Sequence, residues 1–164
     1  LGTATGCEGA ASELVAGLRQ RLYAVEHAVR DASRPRALVL EWTDPAFAPG
    51  HWVPEMVTLA GGVNALGEAG EKSVRVTWEA VRASTPEVIV CAPCGYDLEG
   101  SAALARKAID SGELPAGIPV WAVDANASFA RPGPRLVDGV EALASILHQG
   151  ATQPPHPEMA RRLR

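Results

Sequence analysis

The sequence predicts an α/β fold: a small, mostly parallel sheet with helices on both faces, in three layers. Three observations carry this. Short continuous apolar runs, the mark of strands buried on both faces, recur as "ALVLEW", "EVIVCA" and "IPVWAVD". Around them lie segments whose apolar residues stand three and four apart, as amphipathic helices require. The links are short, and alternating strands and helices so linked wind into a right-handed parallel sheet. Only three strands are clear, which places the sheet near the lower limit for an α/β domain.

The first element is a long helix from Glu8 to Ala32. Leu14, Leu18, Leu22, Val25 and Val29 form its apolar stripe, with Arg19, Gln20, Glu26 and Arg30 between them. No strand precedes it. "SRPR" ends it, because the residue before Pro35 is pushed out of the α region. After the strand "ALVLEW", the stretch "EWTDPAFAPGHWVPEM" gathers two tryptophans, a histidine and three prolines, and the prolines predict an irregular loop. "PEMVTLAGG" reads as a short helix with Pro54 in its first turn and Gly61-Gly62 at its end. "VNALGEAGEKS" is a glycine-broken connection.

Thr77 caps the helix "WEAVRAS", and Pro86 resets the chain into the strand "EVIVCA". Asp97 caps "LEGSAALARKAID", which leads to the third strand, "IPVWAVD". "ANASFARPGP" is then a loop at a strand's carboxyl end, and "RLVDGVEALASILHQ" is the last helix. The closing "GATQPPHPEMARRLR" reads as a Pro-rich surface tail.

With 164 residues, 47% of them apolar, the chain is long enough to bury one sizeable core. A formal net charge of -4 and no Lys/Arg stripe leave nothing to neutralise phosphates, so nucleic acid is discounted as a partner. No apolar run approaches the roughly 20 residues that span a bilayer. The opening "LGTATGCEGA" has no basic n-region, apolar h-region or initiator Met, which suggests a processed or truncated chain. Cys7, Cys91 and Cys94 cannot form a fully paired disulfide framework, and they leave the compartment open.

The loops "TDPAFAPGHW", "PCGYD" and "ANASFARPGPR" all leave strand carboxyl ends and should lie on one rim, where open α/β sheets bind ligands. They supply Trp42, His51, Trp52, Tyr96, Phe129 and Arg131, an apolar and aromatic surface with few polar groups. The bland alternative makes Trp42 and Trp52 half-buried packing residues, and their clustering on one rim favours the ligand. "CAPC" has the Cys-x-Pro-Cys look of a redox site, but Cys91 ends a strand and Gly95 follows Cys94 where a redox helix should run. The two thiols are then small apolar residues. A zinc site would need more ligands than His51 near this rim, since His27, His148 and His156 lie elsewhere, so no protein-held metal is expected. No serine sits in a Gly-x-Ser-x-Gly turn and no nucleophile pairs with a base, so no catalytic residue is assigned. "GEAG" and "AGG" are too loose for a phosphate-binding fingerprint.

Taken together, the opening helix, "RPRALVLEWTDPAFAPGHWVPEMVTLAGGVNALGEAG", "VTWEAVRASTPEVIVCAPCGYDLE" and "VWAVDANASFARPGPRLVDGVE" resemble the carboxyl-terminal lobe of class III periplasmic substrate-binding proteins. These are the cobalamin, haem and iron-siderophore receptors of ABC importers, and the resemblance is nearest to the cobalamin-binding branch. It covers about Ala11 to His148. Its most specific parts are Gly50-His51-Trp52, the Trp78-Glu79 helix start with "TPEVIV", and "FARPGPR".

The resemblance implies that two α/β lobes, joined by one long helix, grip a ligand between them. Residues 1–35 would be the end of that helix, 36–150 the carboxyl-terminal ligand-binding lobe and 151–164 the tail. The ligand would be a corrinoid or an iron chelate, held by Trp42, His51, Trp52, Tyr96, Phe129 and Arg131 without a cofactor and without catalysis. Glu79 matches the position whose carboxylate docks onto arginines of the membrane permease, although acids are favoured in a helix's first turn in any case. A periplasmic or membrane-associated extracellular location follows, with the cytoplasm as the alternative. An isolated lobe is expected to self-associate through its uncovered apolar rim and helix face. Two other functions compete: a thiol redox protein using Cys91 and Cys94, and an intracellular corrinoid-binding protein of the same fold.

Overall fold

The computed structural model describes residues 1–164. The chain opens with helices α1 (Gly2–Thr5) and α2 (Glu8–Val29), then strands β1 (Arg36–Leu40), β2 (Trp42–Thr43) and β3 (Ala46–Ala48). Helix α3 (Val53–Leu59), strands β4 (Val63–Asn64) and β5 (Val74–Arg75), and helix α4 (Trp78–Ala83) follow. The second half runs β6 (Val88–Cys91), α5 (Leu98–Asp110), β7 (Val120–Val123), α6 (Ala125–Ser128), α7 (Leu136–Leu147) and β8 (Ala160–Arg162).

The main sheet has the order β4-β1-β6-β7-β8. Its first four strands are parallel, with Val39 opposite Val90 and Val90 opposite Trp121, and β8 runs antiparallel to β7. Side chains alternate across a strand, so each strand feeds two cores. Ala37 and Val39 point into a core shared with Val25 and Val29 of α2, Met56 and Val57 of α3, and Leu143 and Ile146 of α7. Leu38, Leu40 and Ile89 point the other way, against Val81 of α4 and Ala105 and Ala108 of α5. These three are fully buried, and each stabilises the sandwich by about 1.5–3 kcal/mol. The three-layer α/β/α fold expected from the apolar runs is the one observed.

The predicted caps form. Thr77 Oγ1 accepts the Ala80 N–H at 3.2 Å, and Asp97 Oδ1 accepts the Gly100 N–H at 2.9 Å, each worth about 1 kcal/mol. Helix α2 docks by its second half, where Arg21 reaches both Asp138 and Glu141 of α7 at 2.6 Å; Leu14 and Val15 in its first half stay exposed.

Four expectations are corrected. The sheet has five strands because Val63–Asn64 pairs with β1 and Ala160–Arg162 pairs with β7. The closing residues are therefore only in part a surface tail: beyond Pro157 the chain returns to hydrogen-bond with β7, and Ala160 is buried. The stretch after β1 is not irregular, since β2 and β3 form a hairpin pairing Trp42 with Phe47, and β3 pairs with β5. The loop after β7 contains the one-turn helix α6, capped by Asp124.

Candidate functional site

Leu40, Cys91 and Val123 end three strands of the sheet on one side, and the segments after them enclose a cavity of about 560 Å³. That volume falls in the range of small-molecule sites, roughly 300–1,000 Å³. Trp42, Pro45 and Phe47 come from the hairpin, His51, Trp52 and Val53 from the start of α3, Ala92 and Cys94 from beyond β6, and Phe129 and Ala130 from beyond β7. Glu41 and Ser73 complete the lining. It contains one carboxylate and no Lys or Arg.

Most polar ends in this wall are already committed. Trp42 Nε1 donates to the Asp44 carbonyl at 2.9 Å, and Trp52 Nε1 donates to the Phe129 carbonyl at 2.8 Å. The second bond ties the start of α3 to the segment beyond β7 and so links two aromatic sides of the cavity. Glu41 accepts the Ser73 hydroxyl and, at 3.4 Å, the Gly50 N–H. What remains for a ligand is ring face, a thiol and the His51 imidazole.

Gly50 and His51 show how the loop is held. A Cβ on Gly50 would lie 2.5 Å from Glu71 O and Lys72 C and still closer to Ser73 N, all backbone atoms, so only glycine lets the two segments touch. His51, one residue on, has φ 54, in the left-handed region that costs a non-glycine residue about 1–2 kcal/mol. Its N–H donates to Glu71 O and its carbonyl accepts from Gly70 N–H at 2.7 Å. The strain persists because both backbone groups are bonded. The ring stays exposed, 5.8 Å from that of Trp52.

Of the rim residues singled out in the sequence, Trp42, His51, Trp52 and Phe129 converge on the cavity, with Phe129 buried as its floor. Tyr96 and Arg131 do not line it. The Tyr96 ring stands edge-on behind Trp42 at 5.5 Å and is partly exposed, and Arg131 Nη2 donates to Asn126 Oδ1 at 2.7 Å. Sequence reasoning missed Glu41, Phe47 and Ser73. Glu41 and Phe47 were within the quoted aromatic stretch, whereas Ser73 comes from a connection with no pattern to mark it.

Glu79 lies apart from the cavity at the start of α4, with its side chain 80% exposed and 3.2 Å from Arg82. Its own backbone N–H, then the Thr77 hydroxyl and Arg82, hold its carboxyl below the usual range. All three cysteines are free; Cys91 is buried, and that burial pushes its thiol up to about 12, while Cys94 is exposed. No three His, Cys, Asp or Glu side chains come together as a metal site, and no helix is long and apolar enough to cross a membrane.

Several solved structures share this architecture. A periplasmic heme binding protein from Pseudomonas aeruginosa superposes with a TM-score of 0.77 at 20% identity, over 99% of this chain and 61% of its own. An ABC-type Fe3+-hydroxamate transport system protein from Saccharomonospora viridis gives 0.61 at 26% identity, over 91% of this chain and 53% of its own. The periplasmic vitamin B12 binding protein BtuF of Vibrio cholerae gives 0.56 at 25% identity, over 82% of this chain and 52% of its own. The chain thus spans about half to three fifths of the structures it resembles. No match was found among curated protein sequences. Residues 1–119, well over half of the chain, match the family described as periplasmic binding protein, and the three-layer fold agrees, so this chain belongs to the periplasmic binding protein family.

Proposed function

We propose that this chain is one ligand-gripping lobe of the substrate-binding component of an ABC importer, and that the ligand is a corrinoid, with an iron chelate as the alternative class. The observation that carries this is the cavity itself: aromatic walls from three strand ends, pre-tied by hydrogen bonds, with no cationic side chain. A corrinoid is a broad apolar disc with a neutral amide edge and a positively charged metal core. Rigid tryptophan rings bury such a disc at low entropy cost. Polyanionic chelates would find no counter-charge in this wall, which ranks them lower. The named ligands of the related structures, heme, Fe3+-hydroxamate and vitamin B12, belong to the same broad class of metal chelates and support the reading.

The role is binding without catalysis, on the periplasmic or outer side of a membrane. Tyr96 and Arg131, set back from the cavity, would meet the ligand's edge, and the exposed Glu79 would dock the permease. Exposed Leu14 and Val15 and the uncovered rim would promote self-association of the lone lobe.

A clamshell receptor divides its contacts between two lobes, so this chain supplies about half of the burial of a well-held ligand. Losing about 4 kcal/mol weakens binding roughly a thousandfold. Titrating residues 1–164 with cyanocobalamin should therefore change tryptophan fluorescence only at high ligand concentration, and less in Trp52→Ala. Submicromolar binding by this chain alone would show that one lobe holds the whole site and would refute the two-lobe reading.

A further inference from the structure

We infer that the His51 imidazole coordinates the metal of the bound chelate, so that the lobe selects corrinoids whose cobalt carries an exchangeable axial water over those whose axial position is blocked. This rests on the corrinoid reading above and adds to it a specific bond and a preference between ligand forms.

His51 is the uncommitted nitrogen donor of the cavity. The two indole N–H groups are taken by the carbonyls of Asp44 and Phe129, and Glu41 is taken by Ser73 and Gly50. The His51 ring makes no hydrogen bond and no ion pair, although its backbone N–H and carbonyl are both bonded, to Glu71 and Gly70. The chain thus holds a non-glycine residue at φ 54 and leaves only its ring free at the cavity wall. Among the other histidines, His148 is buried against Ala60 O at 3.0 Å, and His27 and His156 are exposed on α2 and on the closing segment, away from the cavity. A neutral imidazole nitrogen has a lone pair suited to transition metals. In the step proposed, that lone pair fills one axial position of a Co(III) corrin and the bound water leaves. No electron is transferred and no proton is lost from the ring.

Equilibrium dialysis of residues 1–164 against aquocobalamin and against cyanocobalamin, up to about 1 mM, reads binding, and the cobalt absorption spectrum reads coordination. The expected result is a spectral shift with aquocobalamin only, and at least about tenfold tighter retention of aquocobalamin than of cyanocobalamin. His51→Gly should abolish the shift and bring the two affinities together. Glycine adopts this backbone freely, so the variant folds if the wild type does. His27→Ala and His156→Ala, at residues away from the cavity, should retain the shift.

A shift that survives in His51→Gly, or disappears in His27→Ala or His156→Ala, overturns the assignment to His51. Binding of both cobalamins with equal affinity and no shift overturns the coordination but leaves the corrinoid reading standing. Retention of neither up to about 1 mM overturns the coordination by this lobe.

Discussion

Replacing Gly50 with alanine tests whether the cavity wall depends on one close crossing of backbone. The new methyl would sit 2.5 Å from Glu71 O and Lys72 C and nearer still to Ser73 N. None of these atoms can rotate away as a side chain would, so residues 71–73 must shift. That segment bonds the His51 N–H, supplies the Ser73 hydroxyl to Glu41, and leads into Val74, which pairs with Ala48. Overpacking of this kind costs about 1–3 kcal/mol, and each weakened hydrogen bond adds about 0.5–1.5 kcal/mol. A loss of about 2–4 kcal/mol is expected, which for a chain of this length lowers Tm by roughly 5–15 °C. Thermal unfolding followed by circular dichroism measures the loss, and cobalamin retention measured beside it should fall as His51 and Trp52 lose their support. A Tm within about 1 °C of wild type, with unchanged retention, would refute the claim that the crossing organises the site.

Three further outcomes are expected. Trp52→Phe keeps an aromatic ring but leaves the Phe129 carbonyl without its 2.8 Å donor, so urea unfolding should show a loss of about 1 kcal/mol, and no loss would mean the tie is dispensable. Cys91 ionises near 9 when unfolded and near 12 when buried, so between those values the folded state holds the extra proton and stability falls as pH rises, by up to about 1.4 kcal/mol per unit. Cys91→Ala should remove that part of the alkaline slope, and at pH 8 an alkylating probe should label Cys94 and Cys7 but spare native Cys91. Glu79→Ala in a transporting receptor should leave ligand affinity unchanged and reduce uptake; full uptake would remove the docking assignment.

The fold was legible where one local pattern decided the outcome. Leu14 to Val29 recur at helical spacing, the runs at 37–40, 88–91 and 120–123 are too apolar for anything but buried strands, and Thr77 and Asp97 sit where a helix needs a cap. The elements missed depend on distant partners. Trp42–Thr43 and Ala46–Ala48 become strands through a hairpin that also needs Val74–Arg75, and prolines on either side mask the pairing. Ala160–Arg162 becomes a strand only because β7 offers it an edge, which no local property of "ARR" foretells. The same division holds at the site. Trp42, His51, Trp52 and Phe129 could be found because aromatic residues after strand ends mark a rim. Tyr96 and Arg131 follow the same rule yet point elsewhere, since the turn at Gly95 and the bond to Asn126 set their directions. Ser73 gave no signal, because its place in the wall is fixed by the close approach of Gly50 rather than by its neighbours in sequence.

Strand β8 has a consequence for solubility. Without it, β7 would end the sheet as an open edge of Val120, Trp121, Ala122 and Val123, a short, uncharged and strongly β-forming segment of the kind that recruits strands from other molecules. The strand that covers it is built oppositely. Arg161 and Arg162 put positive charge on the new edge, Arg161 is paired with Glu99 of α5 at 2.6 Å, and prolines at 154, 155 and 157 keep the approach to it from extending the ladder. Three residues near the end of the chain thus replace an apolar, uncharged sheet edge with one that carries charged side chains.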